Sequence, residues 1–216
     1  MEQVSNLTYP GLFNSPIKNR RNAKPLLITI SAPSGTGKTT LCNRLVKEFE
    51  NIEYSISCTT RKPRGNEEDG VDYYFLSGRN FKKLIKKNEF LEFAKVHGNH
   101  YGTLIDTIQF AMEGGQHIIL YIDVQGVAQI RSKIKTMEEN SLIKRGFLDI
   151  FIEPPSFDIL EKRLRMRSTD NQKAIKKRLK NAKKELKEAK YYNHRIVNND
   201  LDQAYKELCM IINSSS

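Results

Sequence analysis

The chain has 216 residues, with 36 lysines and arginines against 25 aspartates and glutamates and a formal net charge of +11 at pH 7. That length suits one domain with a modest insertion and a substantial core, and the basic excess fits a nucleic-acid binder or an enzyme with polyanionic substrates equally well. No apolar run reaches membrane-span length, the N-terminus lacks a secretory apolar stretch, and Cys42, Cys58 and Cys209 are scattered without zinc spacing, so a soluble, cytoplasmic protein is expected.

Residues 1–24 hold Pro10, Gly11, Pro16 and a basic cluster at Lys18, Arg20, Arg21 and Lys24 without sustained periodicity, which reads as a flexible N-terminal extension. A domain begins at residue 25 with the apolar run 26–31, a strand pattern. Directly after it comes Ala32-Pro33-Ser34-Gly35-Thr36-Gly37-Lys38-Thr39, followed by a helical pattern over 39–49. A glycine-rich loop between a strand and a helix is the setting of a phosphate-binding P-loop. Ser34, Gly35, Thr36, Gly37, Thr39 and Thr40 offer backbone N–H groups at the positive end of the helix, Lys38 reaches the terminal phosphates, and the Thr39 hydroxyl is the candidate Mg²⁺ ligand. Ala32 stands where the strict pattern has glycine. A bare strand-to-helix turn would account for the glycines but not for Lys38 and Thr39, so an NTP-dependent reaction is expected.

Farther along, strand patterns at 54–58, 117–123, 147–152 and 195–198 alternate with helical patterns at 103–113, 124–135, 156–167 and 173–190. A last helix over 201–212 follows, with Asn199 or Asp200 as its N-cap. The expected fold is therefore α/β: a three-layer P-loop NTPase architecture with a central parallel sheet. In such sheets ligands bind beyond the carboxyl ends of the strands, where the P-loop, Ser57 and Asp123 fall. The segment 173–190 carries Ile175, Leu179, Ala182, Leu186 and Ala189 at helical spacing with lysines on the other faces, which reads as an apolar stripe with a solvated basic side rather than a nucleic-acid track.

The interval 59–103 interrupts the alternation with Thr59-Thr60-Arg61-Lys62-Pro63-Arg64, then Asp69-Gly70-Val71-Asp72-Tyr73-Tyr74-Phe75, a short helix near 80–87 and a strand-like run at 90–94. Arg61 and Arg64, three residues apart beside threonines and tyrosines, suit a second phosphate because guanidinium donors are planar and bidentate. The lone histidines His97 and His100 read as surface residues of this lobe.

From about residue 26 to residue 212 the chain resembles the guanylate kinases. The resemblance is carried by Ser55-Ile56-Ser57-Cys58-Thr59-Thr60-Arg61-Lys62-Pro63-Arg64 with Glu67, Asp69-Gly70, Asp72-Tyr73 and Phe75. It continues in Glu89-Phe90-Leu91-Glu92, Gly98-Asn99-His100-Tyr101-Gly102-Thr103, Ile122-Asp123-Val124-Gln125-Gly126, Pro154-Pro155-Ser156 and Ile196-Val197-Asn198. It implies phosphoryl transfer from ATP, with Mg²⁺, to GMP and dGMP, without a nucleic-acid or membrane partner; the oligomeric state stays open. It divides residues 25–216 into a core (25–58, 104–166 and 191–216), an inserted GMP-binding lobe (59–103) and a mobile lid (about 167–190).

By the same resemblance Arg61, Arg64, Tyr73 and Tyr101 hold the GMP phosphate, while Ser57, Glu92, Gly102, Thr103 and Asp123 surround the guanine. Arg167 and Arg178 align with lid arginines that join Lys38 and Arg64 at the transferring group, and Asn198 falls where the family contacts adenine. Tyr121 stands in place of the first aspartate of an Asp-x-Asp pair, and Ser168 replaces the glycine usual after the first lid arginine. The same fold also serves as an inactive binding module for phosphorylated or acidic partners, with a degraded P-loop; here Lys38 and Thr39 are intact.

Overall fold

The structure, a computed structural model, describes residues 24–166 and 171–216. In chain order it runs β1 (Leu27–Ser31), α1 (Lys38–Glu48), β2 (Ile52–Tyr54), β3 (Cys58–Thr59), β4 (Tyr74–Phe75), α2 (Gly78–Lys86), β5 (Phe90–Val96), β6 (Asn99–Leu104), α3 (Ile105–Glu113), β7 (His117–Leu120), α4 (Val124–Lys135), α5 (Leu142–Gly146), β8 (Phe147–Glu153), α6 (Phe157–Arg165), α7 (Gln172–Glu188), a 3-10 turn (Ala189–Tyr191), β9 (His194–Val197) and α8 (Leu201–Ser215).

Every residue of β1 is buried, because it is the middle strand of a parallel sheet ordered β2-β7-β1-β8-β9 with layers on both faces. Its side chains alternate. Ile28 and Ile30 pack with Leu41 and Leu45 of α1 and Leu208 and Ile212 of α8, whereas Leu27 joins Ile108 and Met112 of α3 and Ile130 of α4 on the opposite face. At about 1.5–3 kcal/mol per fully buried aliphatic side chain, these two layers carry the fold and hold the start of α1 and the start of α4 at the same end of the sheet.

Asp149 of β8 is 1% exposed and accepts from Arg131 Nε of α4 at 2.7 Å and from the Asn193 backbone N–H at 2.8 Å, which locks α4 against the sheet. A second sheet, β4-β3-β6-β5, encloses its own small core of Cys58, Tyr74, Phe81, Phe90 and Leu104, with Phe81 and Phe90 stacked at 4.4 Å. It leans on α4, where Gln129 Oε1 accepts from Phe93 N at 3.1 Å.

Three features differ from the sequence reading. The run expected as one strand over 54–58 is split, since Ile52–Tyr54 pairs with β7 in the central sheet and Cys58–Thr59 pairs with β4 and β6 in the second. Strand β6 and helix α5 were not expected. β5 and β6 form a hairpin whose two turn residues, His97 (φ 48°) and Gly98 (φ 87°), both lie in the left-handed region that two-residue hairpin turns require, but His-Gly is not the usual Asn-Gly or Asp-Gly signal. The expected strand 117–123 ends at Leu120, because the next residues turn out of the sheet and Asp123 becomes the N-cap of α4.

No described helix is long and apolar enough to cross a membrane, and all three cysteines are free. Residues 1–23 and Arg167 and Ser168 lie outside the described residues, so the expectations on the N-terminal extension and on those two lid positions do as well.

Candidate active site

β1 delivers its chain end into the loop that precedes α1. Gly35 (φ 93°) and Gly37 (φ 91°) adopt left-handed backbone that side chains resist, and a Cβ on Gly37 would sit 2.6 Å from Asn198 Nδ2. The loop is braced from within: Thr36 Oγ1 donates to Pro33 O at 2.8 Å, and Asn198 Nδ2 donates to Thr36 O at 2.6 Å. Because Gly37 is the N-cap and brings no side-chain hydrogen bond, the first N–H groups of α1 and its dipole are left to an external anion.

Around this cradle stand the side chains expected to meet phosphate. Lys38 Nζ donates to Ile122 O at 3.4 Å and lies 3.8 Å from the centre of the Tyr121 ring. Burial lowers its pKa, while nearby Glu185 and Asp123 work to raise it. Thr39 Oγ1 is 2.7 Å from Tyr121 Oη. Arg178 reaches over from α7 and its Nη1 donates to Ser34 Oγ at 2.8 Å. Thr40 is exposed on α1. Glu185, also on α7, lies within electrostatic reach of Lys38 and Asp123, and no motif had marked it.

A second cradle lies on the other lobe. Arg61 makes a two-pronged pair with Glu67, Nη1 to Oε2 at 2.8 Å and Nη2 to Oε1 at 2.9 Å, and Glu67 Oε2 also accepts from Arg64 N at 2.8 Å. Glu67 is held below the usual carboxylate pKa, first by the Arg61 guanidinium and then by that backbone N–H. The Arg61 guanidinium lies 5.3 Å from the Tyr73 ring centre, and Tyr73 meets Tyr101 edge-on at 6.1 Å. The side chain of Arg64 is exposed. Glu67 is the organiser here. The motif contained it, but only the folded loop shows that it orients one arginine and pins the backbone of the next.

Behind this cradle, Glu92 of β5 is 7% exposed and accepts from Thr103 Oγ1 at 2.8 Å. Burial pushes its pKa up, opposed by the Thr103 hydrogen bond and reinforced by the charge of Asp123. Asp123 Oδ1 accepts from the Gln125 and Gly126 N–H groups, so its position is set by helix capping. Gly102 is demanded by the tightness of the hairpin, since a Cβ there would meet Glu92 O and Phe90 Cδ1, each at 2.9 Å. His100 packs against Phe81 at 5.3 Å and is accounted for structurally.

Thr39 at the start of α1 and Tyr73 of the lobe share the wall of a cavity of about 340 Å³, together with Ser57, Asp72 and Tyr121. Among the described residues no cluster of three or more His, Cys, Asp or Glu could cage a metal ion. The parallel sheet and the glycine loop between β1 and α1 define a P-loop α/β nucleotide-binding protein.

The comparisons with known proteins narrow that class. The family model described as guanylate kinase matches residues 23–215. Similar proteins include a guanylate kinase of Rickettsia prowazekii, 42% identical over 88% of this chain and 91% of that protein, and one of Syntrophotalea carbinolica, 46% identical over 87% and 84%. A crystal structure of guanylate kinase from Anaplasma phagocytophilum superposes with a TM-score of 0.63 at 29% identity, covering 89% of this chain and 87% of that one. The chain belongs to the guanylate kinase family.

Proposed function

We infer that the protein is a guanylate kinase that transfers a phosphoryl group from ATP to GMP, giving ADP and GDP. The observation that supports this reading is a cavity walled by Thr39 of the P-loop, by Ser57 at the end of the first core segment and by Tyr73 of the lobe, between the loop assigned to the donor phosphates and the residues assigned to the acceptor phosphate. The intact Lys38 and Thr39 weigh against an inactive binding module.

In this assignment the loop from Ser34 to Thr40 holds the ATP phosphates. Asn198, buried and bonded to Thr36 O, keeps the loop's shape beside the adenine end. Arg61, Arg64, Tyr73 and Tyr101 take the GMP phosphate, and Ser57, Glu92, Gly102, Thr103 and Asp123 surround its base. The lobe (59–103) carries the acceptor, and the segment 167–190, with Arg167 and Arg178, closes over the transferring group. Arg178 already touches Ser34 at the mouth of the loop, consistent with that role.

The reaction needs no general base. The attacking atom is a phosphate oxygen of GMP, already ionised at neutral pH, so the work is to align two polyanions and neutralise the charge between them. Lys38, Arg64, Arg167 and Arg178 are assigned to that neutralisation. The donor chemistry fits Mg²⁺, since one hydroxyl, Thr39, stands beside the cradle without a carboxylate cage, and Mg²⁺ favours sites completed by substrate phosphates and water. Bound with the nucleotide it would supply charge neutralisation at the phosphate oxygens.

An assay of ADP formation with GMP, dGMP, AMP, UMP, single-stranded DNA or no acceptor tests the assignment. Turnover is expected with GMP and dGMP alone; equal ADP formation without an acceptor would show an ATPase instead. A separate expectation attaches to Glu67. Glu67→Gln weakens the brace on Arg61, so KM for GMP should rise roughly tenfold while kcat changes by less than about threefold, as befits a lost ground-state contact. A fall in kcat at constant KM in steady-state kinetics would place Glu67 elsewhere in the mechanism.

A further inference from the structure

Tyr121 has no place in the core. It follows the last residue of β7, is 51% exposed, and lies across the start of α1 with its hydroxyl 2.7 Å from Thr39 Oγ1 and its ring centre 3.8 Å from Lys38 Nζ. One exposed side chain therefore touches both P-loop side chains that the functional reading gives to the cation and the phosphates. None of the apolar clusters includes it.

A hydroxyl that ligates a cation does so through an oxygen lone pair, and its proton then needs an acceptor of its own. For Thr39 the Tyr121 hydroxyl is at hand. When Thr39 donates to Oη, its lone pairs are left for the metal, and the phenol O–H stays intact and can itself donate a hydrogen bond to a phosphate oxygen. The ring does a second job. An aromatic face attracts an ammonium without consuming any of its N–H bonds, so Lys38, with one hydrogen bond to Ile122 O, keeps two donors for phosphate oxygens.

We propose that Tyr121 is a positioning residue of the phosphoryl-transfer site: its hydroxyl accepts the Thr39 proton and aims that oxygen at the nucleotide-bound cation, while its ring holds the Lys38 ammonium in place. This rests on the reading that the P-loop binds ATP with Mg²⁺. The phenol is a neutral acceptor, weaker than a carboxylate and stronger than none, so the metal dependence of nucleotide binding should follow acceptor strength at this position.

The test is calorimetric binding of a non-hydrolysable ATP analogue, without GMP, in EDTA and across a Mg²⁺ titration, for the wild type and for Tyr121→Phe, Tyr121→Asp and Tyr121→Ala, with melting temperatures recorded for each. In Tyr121→Phe the Mg²⁺ concentration giving half of the affinity gain should rise roughly tenfold, with affinity in EDTA unchanged within about twofold. Tyr121→Asp should lower that concentration below the wild-type value. Tyr121→Ala, which also removes the ring, should lose about threefold in EDTA as well. An unchanged Mg²⁺ dependence in Tyr121→Phe overturns the proposal, and so does a decrease, which would mean that the phenol withholds Thr39 from the metal. A wild type whose binding gains nothing from Mg²⁺ defeats the metal reading of the site itself, a result distinct from a Mg²⁺-dependent wild type with an indifferent Phe variant.

Discussion

Lys38→Ala should lower kcat for GMP phosphorylation by about 10³-fold or more, equivalent to about 4 kcal/mol of transition-state stabilisation, and leave the fold intact. The size follows from what the ammonium does. It is the cation at the head of α1 beside the loop's orphan N–H groups, and charge builds between the two phosphates only as the reaction proceeds, so its contribution is greater in the transition state than in the ground state. The fold should survive, because Nζ meets a carbonyl at 3.4 Å and the face of an exposed tyrosine, contacts that hold no layer together. Stopped-time assays of GDP formation, with a thermal melt of the same sample, check both halves. Near-normal turnover in a folded variant would exclude P-loop phosphoryl transfer.

The second large effect concerns the choice of base. Guanine presents N1–H and an exocyclic amine side by side, and an ionised carboxylate accepts from both in charge-assisted bonds. Glu92 is the carboxylate that the proposed assignment sets against the base: it is buried and accepts from the Thr103 hydroxyl. Adenine would set a lone pair against that carboxylate. Leaving a buried charge unpaired is costly, and sites built around specific hydrogen bonds reject such analogues by roughly 10⁴-fold, so AMP should be a very poor substrate and IMP, which lacks only the amine, should fall between. Glu92→Gln should cut kcat/KM for GMP by about 10²-fold or more and shrink the GMP-over-AMP ratio, since an amide offers one acceptor and an unwanted donor.

The raised pKa of Glu92 adds a pH signature. In the proposed assignment guanine binds the ionised form, so as pH falls toward the carboxyl's elevated pKa, protonation should compete with GMP and KM for GMP should rise at a higher pH than a carboxylate with the ordinary value would allow. In Glu92→Gln that acid limb should disappear from the pH profile of kcat/KM for GMP. A variant that retained both the full base preference and the acid limb would move the guanine site elsewhere in the lobe.

Much of this protein was determined by its sequence alone, and for local reasons. A phosphate loop is a continuous segment whose glycines, lysine and threonine act through their own backbone and the helix that follows them, so Gly35 to Thr39 were readable at once, as were the apolar alternation of β1 and the amphipathic helices around it. The Arg61 to Arg64 segment stood out for a similar local reason, because two arginines beside tyrosines suit an anion by type and spacing, and the proposed assignment rests on that.

What only the tertiary structure decided were the choices among partners far apart in the chain. The residues 54–58 read as one strand because their pattern says nothing about which sheet each end will join, and the structure gives Ile52–Tyr54 to β7 and Cys58–Thr59 to the second sheet. Asn198 braces Thr36 from 162 positions away, Glu185 reaches the electrostatic surroundings of Lys38 from α7, and Tyr121 meets Thr39 across 82 positions. Hydrogen bonds and charge pairs of that kind depend on three-dimensional distance alone, which parallel crossover connections set and residue spacing does not encode. The chemistry of the site was therefore local, whereas its alignment came from the sheet.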